Sequence, residues 1–304
     1  MGEEAWTLPD DLDRIRSALL DWYQVHKREL PWRETTDPYP ILVAEVMSQQ
    51  TQLERVNESF VQFMKQWPTI EALASAQQSD VVAFWSEARL GYNRRARYLH
   101  RSANLVLEEF QGEIPADPEQ LQQLPGVGPY TANAVASFAF NNGSAVVDTN
   151  VKRILFRAFQ IPDDGDCFKE AANRLMPPDK SECWNNAIME LGGLACDRTP
   201  RCDSESCPMR RWCEAYASGD FRAPDVPSQS TFSGSRRQYR GRIIRLLQDG
   251  SWHSISSIGP KVRVDYGSEQ ANREWLIDLI GDLVDDGLLE VNQESDQTFI
   301  RLAK

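Results

Sequence analysis

Residues Leu124 to Arg153 constrain this chain more than any other stretch. They carry a Leu-Pro-Gly-Val-Gly turn and, further on, the string Val-Val-Asp-Thr-Asn-Val-Lys-Arg. Gly126 and Gly128 let the backbone approach another molecule closely. The helix expected to open at Tyr130-Thr131-Ala132 points its first N–H groups outward, where they can bind an anion. A DNA phosphate is the expected anion. Asp148 follows the apolar run Ala145 to Val147 and precedes the helical pattern of Val151, Ile154 and Leu155. A carboxylate near a bound phosphodiester is suited to stabilising positive charge on a sugar. Taken singly, the turn reads as an ordinary helix–helix connection and Asp148 as an ordinary N-cap. Their order along one chain favours the nucleic-acid reading.

Turn and aspartate together resemble the helix-hairpin-helix plus Gly/Pro-Asp signature of the base-excision DNA glycosylase superfamily that includes endonuclease III. The N-terminal half narrows the likeness. Leu30-Pro31-Trp32-Arg33, Pro38-Tyr39 and the string from Ala44 to Gln52 are similar to adenine DNA glycosylases of the MutY type. The Glu-Val-Met-x-Gln-Gln-Thr string is far more specific than the hairpin, which many DNA-binding proteins share. The resemblance covers residues 10 to 217. It implies a mostly α fold, a two-lobed helix-hairpin-helix DNA glycosylase domain with an iron–sulfur cluster loop.

The chain has 304 residues, room for one large domain and one small one. No apolar run reaches the ~18 residues of a spanning helix. Met-Gly-Glu-Glu at the start lacks the basic and apolar stretches of a secretory signal. We therefore expect no membrane partner and an intracellular location, cytoplasmic and nucleoid-associated. A net charge of −12 argues against nucleic acid at first sight. Its distribution softens that: of 33 basic residues, 26 are Arg and 7 are Lys. They cluster around Arg94 to Arg101, Lys152 to Arg157, and Arg236 to Arg245. Arginine binds phosphate bidentately, so a few well-placed ones can serve a face.

Cys167 and Cys183 stand alone and read as plain buried thiols. Cys196, Cys202, Cys207 and Cys213 fall together. A disulfide framework does not suit an intracellular chain of this length, which leaves a four-thiolate iron–sulfur cluster or structural zinc. No Cys-x2-Cys pair and no nearby His support a zinc finger. The resemblance implies a [4Fe–4S] cluster. Intervening residues number five, four and five, where the family usually has six, two and five; the final Cys-Pro-x4-Cys matches.

Residues 10 to 217 read as helix after helix. Ile15, Leu19, Leu20 and Tyr23 mark one apolar stripe, and Val56, Phe60, Phe63 and Met64 another. Breaks fall at Trp67-Pro68, Gly112 to Pro115, Pro125-Gly126 and Pro177-Pro178. Domain boundaries are expected at 1–218 for the glycosylase domain, 219–234 for a Pro/Ser/Gly-rich linker, and 235–304 for a small α+β winged-helix-like domain. That last domain departs from the family, whose C-terminal domain resembles Nudix hydrolases.

The resemblance implies roles residue by residue. Glu45, in an apolar helical stretch, would be the general acid that protonates adenine at N7. Asp148 would stay ionised beside the sugar cation or attack it, with Asn150 orienting water or substrate. Tyr130 occupies the place of the lysine that forms a Schiff base in bifunctional relatives, so strand cleavage is not expected. Trp32, Arg33 and Glu190 match positions around the extruded adenine. Gln49 and Gln50 match residues that wedge into the duplex, and Tyr92 lies in a segment that enters DNA near the opposite base. The partner is double-stranded DNA with a mispaired base, met by a monomer. The expected reaction is removal of adenine opposite 8-oxoguanine or guanine. Alternatives are a thymine or uracil glycosylase acting opposite guanine, and a non-catalytic DNA-binding protein.

Overall fold

A computed structural model describes residues 6–203, 206–225, 231–267, 269–294 and 297–304. Within the expected linker, residues 226–230 lie outside the described residues, as does the turn at 295–296. Helices follow one another as α1 (Leu12–His26), α2 (Pro38–Ser48), α3 (Leu53–Gln66), α4 (Ile70–Ala74), α5 (Gln78–Glu87), α6 (Arg94–Glu109), α7 (Pro118–Leu121), α8 (Pro129–Phe140), α9 (Thr149–Phe159), α10 (Gly165–Leu175), α11 (Ser181–Leu194) and α12 (Glu214–Ser218). Then come α13 (Arg236–Leu246), β1 (His253–Ser254), α14 (Ile255–Val262), α15 (Gln270–Asp285), β2 (Leu289–Glu294) and β3 (Gln297–Leu302). Among the described residues no helix is long and apolar enough to cross a membrane.

The chain divides into two compact units that do not follow its order. One takes Met1–Leu42, Pro115–Gln122 and Val127–Ser228; the other takes Val43–Ile114, Gln123–Gly126 and Gln229–Lys304. The boundary between Leu42 and Val43 falls inside α2.

Caps decide where the first unit's helices begin. Asp148 caps α9 and Asp164 caps α10, each accepting N–H groups of the first turn. Pro129 opens α8, where its missing N–H costs nothing. The amphipathic stripe of α1 buries Ile15, Leu19, Trp22 and Tyr23 against Val151, Ile154, Leu155, Trp184, Ile188 and Leu191 of α9 and α11.

In the second unit α3, α5 and α6 supply Phe60, Phe63, Val81, Trp85, Leu99 and Val106 to a core. Phe63, Trp67 and Phe84 pack ring against ring, centroids 4.7 to 5.6 Å apart. The C-terminal elements of this unit bury Ile244, Leu247, Ile258, Leu276, Leu279, Leu283 and Ile300. Their antiparallel sheet has the order β1-β3-β2, with Val291 opposite Ile300 and Ile300 opposite His253. The helices and hairpin expected there are present. β1 is an addition: two residues are too few to show alternation in a sequence.

Candidate active site

In the first unit the site grows from the start of α9. Asp148 Oδ1 accepts the Val151 N–H at 2.7 Å, and Oδ2 accepts the Asn150 amide at 2.9 Å. Asn150 is fixed in turn, its Oδ1 accepting Arg153 Nη2 at 2.7 Å. Arg153 also donates to Cys196 O at 2.6 Å and to Gly192 O at 2.9 Å. A chain of hydrogen bonds thus runs from the cysteine segment to the carboxylate. Burial raises the Asp148 carboxyl above its ordinary value, opposed by the Val151 and Asn150 hydrogen bonds and by the Arg153 charge. Gly192 fits because it has no side chain: an added Cβ would stand 2.5 Å from the Asn150 Cβ.

Glu190 is fully buried on α11 and both its oxygens are engaged. Oε1 accepts Arg28 N at 2.9 Å and Arg28 Nε at 2.7 Å; Oε2 accepts Arg28 Nη2 at 3.1 Å and Arg33 Nη2 at 2.8 Å. Burial pulls its pKa up, but those hydrogen bonds and the Arg33 charge outweigh it and hold the carboxyl below the usual range. Trp32 is buried beside Arg33 in a single 3-10 turn, Pro31–Arg33. Tyr130 is the second residue of α8 and is half-buried; Gly128 caps that helix and is exposed.

In the second unit Glu45 is buried at 7% exposure on α2, among Val43, Ala44, Val46 and Met47, all buried. Gln49 and Gln50 follow the helix, Gln50 with φ +55°. Tyr92 is exposed and also left-handed, φ +44°. Both loops are held by Arg95, which is buried and donates to carbonyls on each side. Burial pulls its pKa down to about 10, so the guanidinium remains charged at neutral pH. Gly126 carries φ +78°, and a Cβ there would meet the Tyr98 ring at 2.8 Å, so this turn requires glycine on two counts. A cavity of about 650 Å³ opens among Gln49, Gln50, Tyr92, Arg94 and Arg237.

Five arginines between Arg236 and Arg245 suggest a basic helix face. The structure corrects this. Arg236 pairs with Asp278 at 2.7 Å and with Asp282 at 2.6 Å; Arg240 pairs with Asp286, which also holds Arg94 at 3.1 Å. Aspartates four apart along and just beyond α15 line up opposite arginines four apart on α13, a register set by the helical repeat. Arg237 instead donates to the Tyr92 hydroxyl at 2.5 Å.

The four clustered cysteines lie between α11 and α12, all half-buried and none in a disulfide. Burial pushes the Cys207 thiol up to about 12, and Cys196, Cys202 and Cys213 add to the rise. Cys202 and Cys213 are raised by burial and by their cysteine neighbours too. Arg157, itself buried, stands 3.6 Å from Cys196 Sγ and anchors the segment through Asp197 O and Phe221 O. Four cysteines on one segment, three of them raised by burial and by one another, offer the all-sulfur donor type that a four-thiolate cluster uses. Among the described residues no three His, Cys, Asp or Glu side chains gather as ligands of one metal ion.

Sequence reasoning missed Arg28 and took Arg95, Arg153 and Arg157 only as members of basic clusters. Each acts on groups brought near by folding, the Arg28–Glu190 pair across 162 positions, and no local pattern marks them.

Residues 43–178 match the HhH-GPD superfamily of base excision DNA repair proteins. The chain is 36% identical over 281 residues to the adenine DNA glycosylase of Mycolicibacterium smegmatis, covering 90% of this chain and 91% of that one. The solved structure of a thermostable thymine-DNA glycosylase superposes with a TM-score of 0.61 at 28% identity, over 68% of this chain and 98% of that one. A non-covalent endonuclease III–DNA complex gives 0.59 at 23% identity, over 70% and 99%, a likeness of fold. The chain belongs to the adenine DNA glycosylase family, within the HhH-GPD superfamily of base excision DNA repair proteins.

Proposed function

We propose that the chain removes adenine mispaired with 8-oxoguanine or guanine from double-stranded DNA, as a monofunctional glycosylase acting as a monomer. The observation that carries this reading is Asp148, a half-buried carboxylate held by Val151 N–H and Asn150 at the start of α9. It can face a cation but has little freedom to move. Glu45 gives the proton. Its apolar burial favours the neutral carboxyl, which a general acid needs. The proton goes to N7 of adenine, the bond from C1′ to the base breaks, and the electron pair leaves with neutral adenine. Positive charge then develops on the sugar and Asp148 stabilises it. Water, oriented by Asn150, adds to C1′ and leaves an abasic site.

Gln49 and Gln50 enter the stack beside the extruded nucleotide, and Tyr92 sits by the opposite base. Trp32 and Arg33 border the adenine, with Glu190 fixing Arg33. Gly126 and Gly128 bring the backbone to a phosphate. Tyr130 cannot form a Schiff base, so no lyase step follows. Cys196, Cys202, Cys207 and Cys213 would hold a [4Fe–4S] cluster, and the same segment gives Arg153 its anchor at Cys196 O. The 235–304 region follows the 219–234 linker and packs in one compact unit with residues 43–114.

Excision assays on A:8-oxoguanine, A:G, T:G and U:G duplexes test the reading. Release of adenine alone is expected; preferential release of thymine or uracil overturns it. Purified protein should be yellow-brown, with absorbance near ~400 nm and about four irons per chain. Colourless active protein with stoichiometric zinc overturns the cluster. Borohydride trapping should yield little covalent product.

A further inference from the structure

Arg95 lies in the first turn of α6 and its guanidinium is wholly inside the protein. One edge meets the end of α2: Nη1 donates to Val46 O at 2.9 Å, Met47 O at 3.3 Å and Gln49 O at 2.5 Å. Helix-terminal carbonyls have no intrahelical partner and carry partial negative charge, which suits a cation. The other edge meets a different loop: Nη2 donates to Leu90 O at 2.7 Å and Gly91 O at 3.2 Å, and also to Thr51 Oγ1 at 3.2 Å. Thr51 passes the link on, its hydroxyl standing 3.2 Å from Leu90 O. The guanidinium plane lies between the Trp85 ring, 5.3 Å away, and the Tyr92 ring, 5.5 Å away.

Both loops hold unusual backbone. Gln50 has φ +55°, Arg89 +54° and Tyr92 +44°. Side-chain-bearing residues reach that region at an energetic cost, and stay there only when their surroundings over-determine them. A single six-bond donor provides that determination for both loops at once. Burying a guanidinium is expensive, so its position here is explained by the carbonyls it satisfies.

The geometry points to Arg95 as a positioning residue: it fastens the Gln49–Gln50 loop to the Leu90–Tyr92 turn, so that the side chains meant for the duplex are presented as one rigid surface. The first half of this statement concerns the protein alone; the second rests on the proposed reading of Gln49, Gln50 and Tyr92. Lysine would keep the charge but not the planar fork, and one ammonium cannot span both loops.

The test uses full-length Arg95→Lys, with Thr51→Val as a gentler variant that keeps shape and removes one strand of the link. Amide hydrogen exchange is read over residues 48–52 and 89–93 without DNA. Arg95→Lys should speed exchange by about tenfold or more in both segments together, with α3 and α8 unchanged. Thr51→Val should give a smaller rise in the same two segments. Acceleration in one segment only, in neither, or across the whole lobe overturns the coupling. With DNA, 2-aminopurine placed beside the mispaired adenine reports unstacking. Its rate should fall by about tenfold in Arg95→Lys while duplex affinity stays within about threefold. Normal unstacking with loosened loops overturns the functional half. If the parent protein removes no adenine, the proposed activity fails, and exchange still decides the role of Arg95.

Discussion

Glu45 is a buried carboxylate and Asp148 a half-buried one, and they are placed by different means. Glu45 rides on a helix that is apolar on every side. Asp148 sits at a helix start amid polar partners, with Asn150, Arg153 and the Val151 N–H behind it. Burial raises the Asp148 carboxyl, and the hydrogen bonds behind it oppose that rise. The proposed roles, acid for Glu45 and ion-stabiliser for Asp148, require the two to hold different protonation states at one pH.

Removing the charge at Asp148 is the hardest test of that contrast. Asp148→Asn should lower single-turnover excision by about 10³-fold or more while duplex affinity stays within about tenfold. A variant near the parent rate ends the assignment. Stability should move the other way. Burial raises this carboxyl, so its ionised form costs folding energy at neutral pH, and that cost vanishes below the unfolded value of about 3.9. The stability of the parent relative to Asp148→Asn should therefore improve as pH falls from 7 toward 4, read by thermal melts.

Glu45→Gln should cost about 10²- to 10⁴-fold in rate. The parent rate should fall as pH rises and Glu45 deprotonates, and the variant should lack that limb. An unchanged profile would make the two carboxylates equivalent and break the comparison.

Glu190 sharpens it from a third side, as a carboxylate committed wholly to arginines. Glu190→Gln leaves two guanidiniums underpaired and should destabilise folding by roughly 3 kcal/mol, read by denaturant melts. Its pKa is lowered, so its contribution is present above the unfolded value and lost as pH falls through the folded one. A variant as stable as the parent at pH 7 would leave Glu190 free for another role.

Gly192→Ala pushes a methyl toward Asn150. Its rate should fall by about tenfold with iron content intact; parental rates would mean that Asn150 does not orient anything. Smallest of all, Asp278→Asn removes an exposed partner of Arg236 and should change stability by less than about 1 kcal/mol.

Much of this was legible beforehand, and unevenly. Apolar spacing gave the α1 and α3 stripes, and the helix break at Trp67-Pro68 fell where α3 ends. Asp148 was visible both as a cap and as a functional carboxylate, and it serves as the cap. The roles of Arg95, Arg153 and Arg28 were not visible, since their partners are carbonyls and carboxylates whose nearness exists only after folding. Arg236 and Arg240 of α13 misled for the same reason: the aspartates that pair with them arrive from α15 and just beyond it.

That pairing has a thermodynamic consequence. A protein gains affinity for DNA largely by displacing small cations condensed on the phosphates, one for each positive charge it brings. Arg236 and Arg240 already have anions at hand, and a phosphate must compete with Asp278, Asp282 and Asp286 to reach them. The steepness with which affinity falls as salt rises should therefore count cations held elsewhere on the chain. Of the arginines on α13, Arg236 and Arg240 would add little to that slope, whereas Arg237 and Arg242 donate to a hydroxyl and to a carbonyl, groups that leave a guanidinium's charge standing.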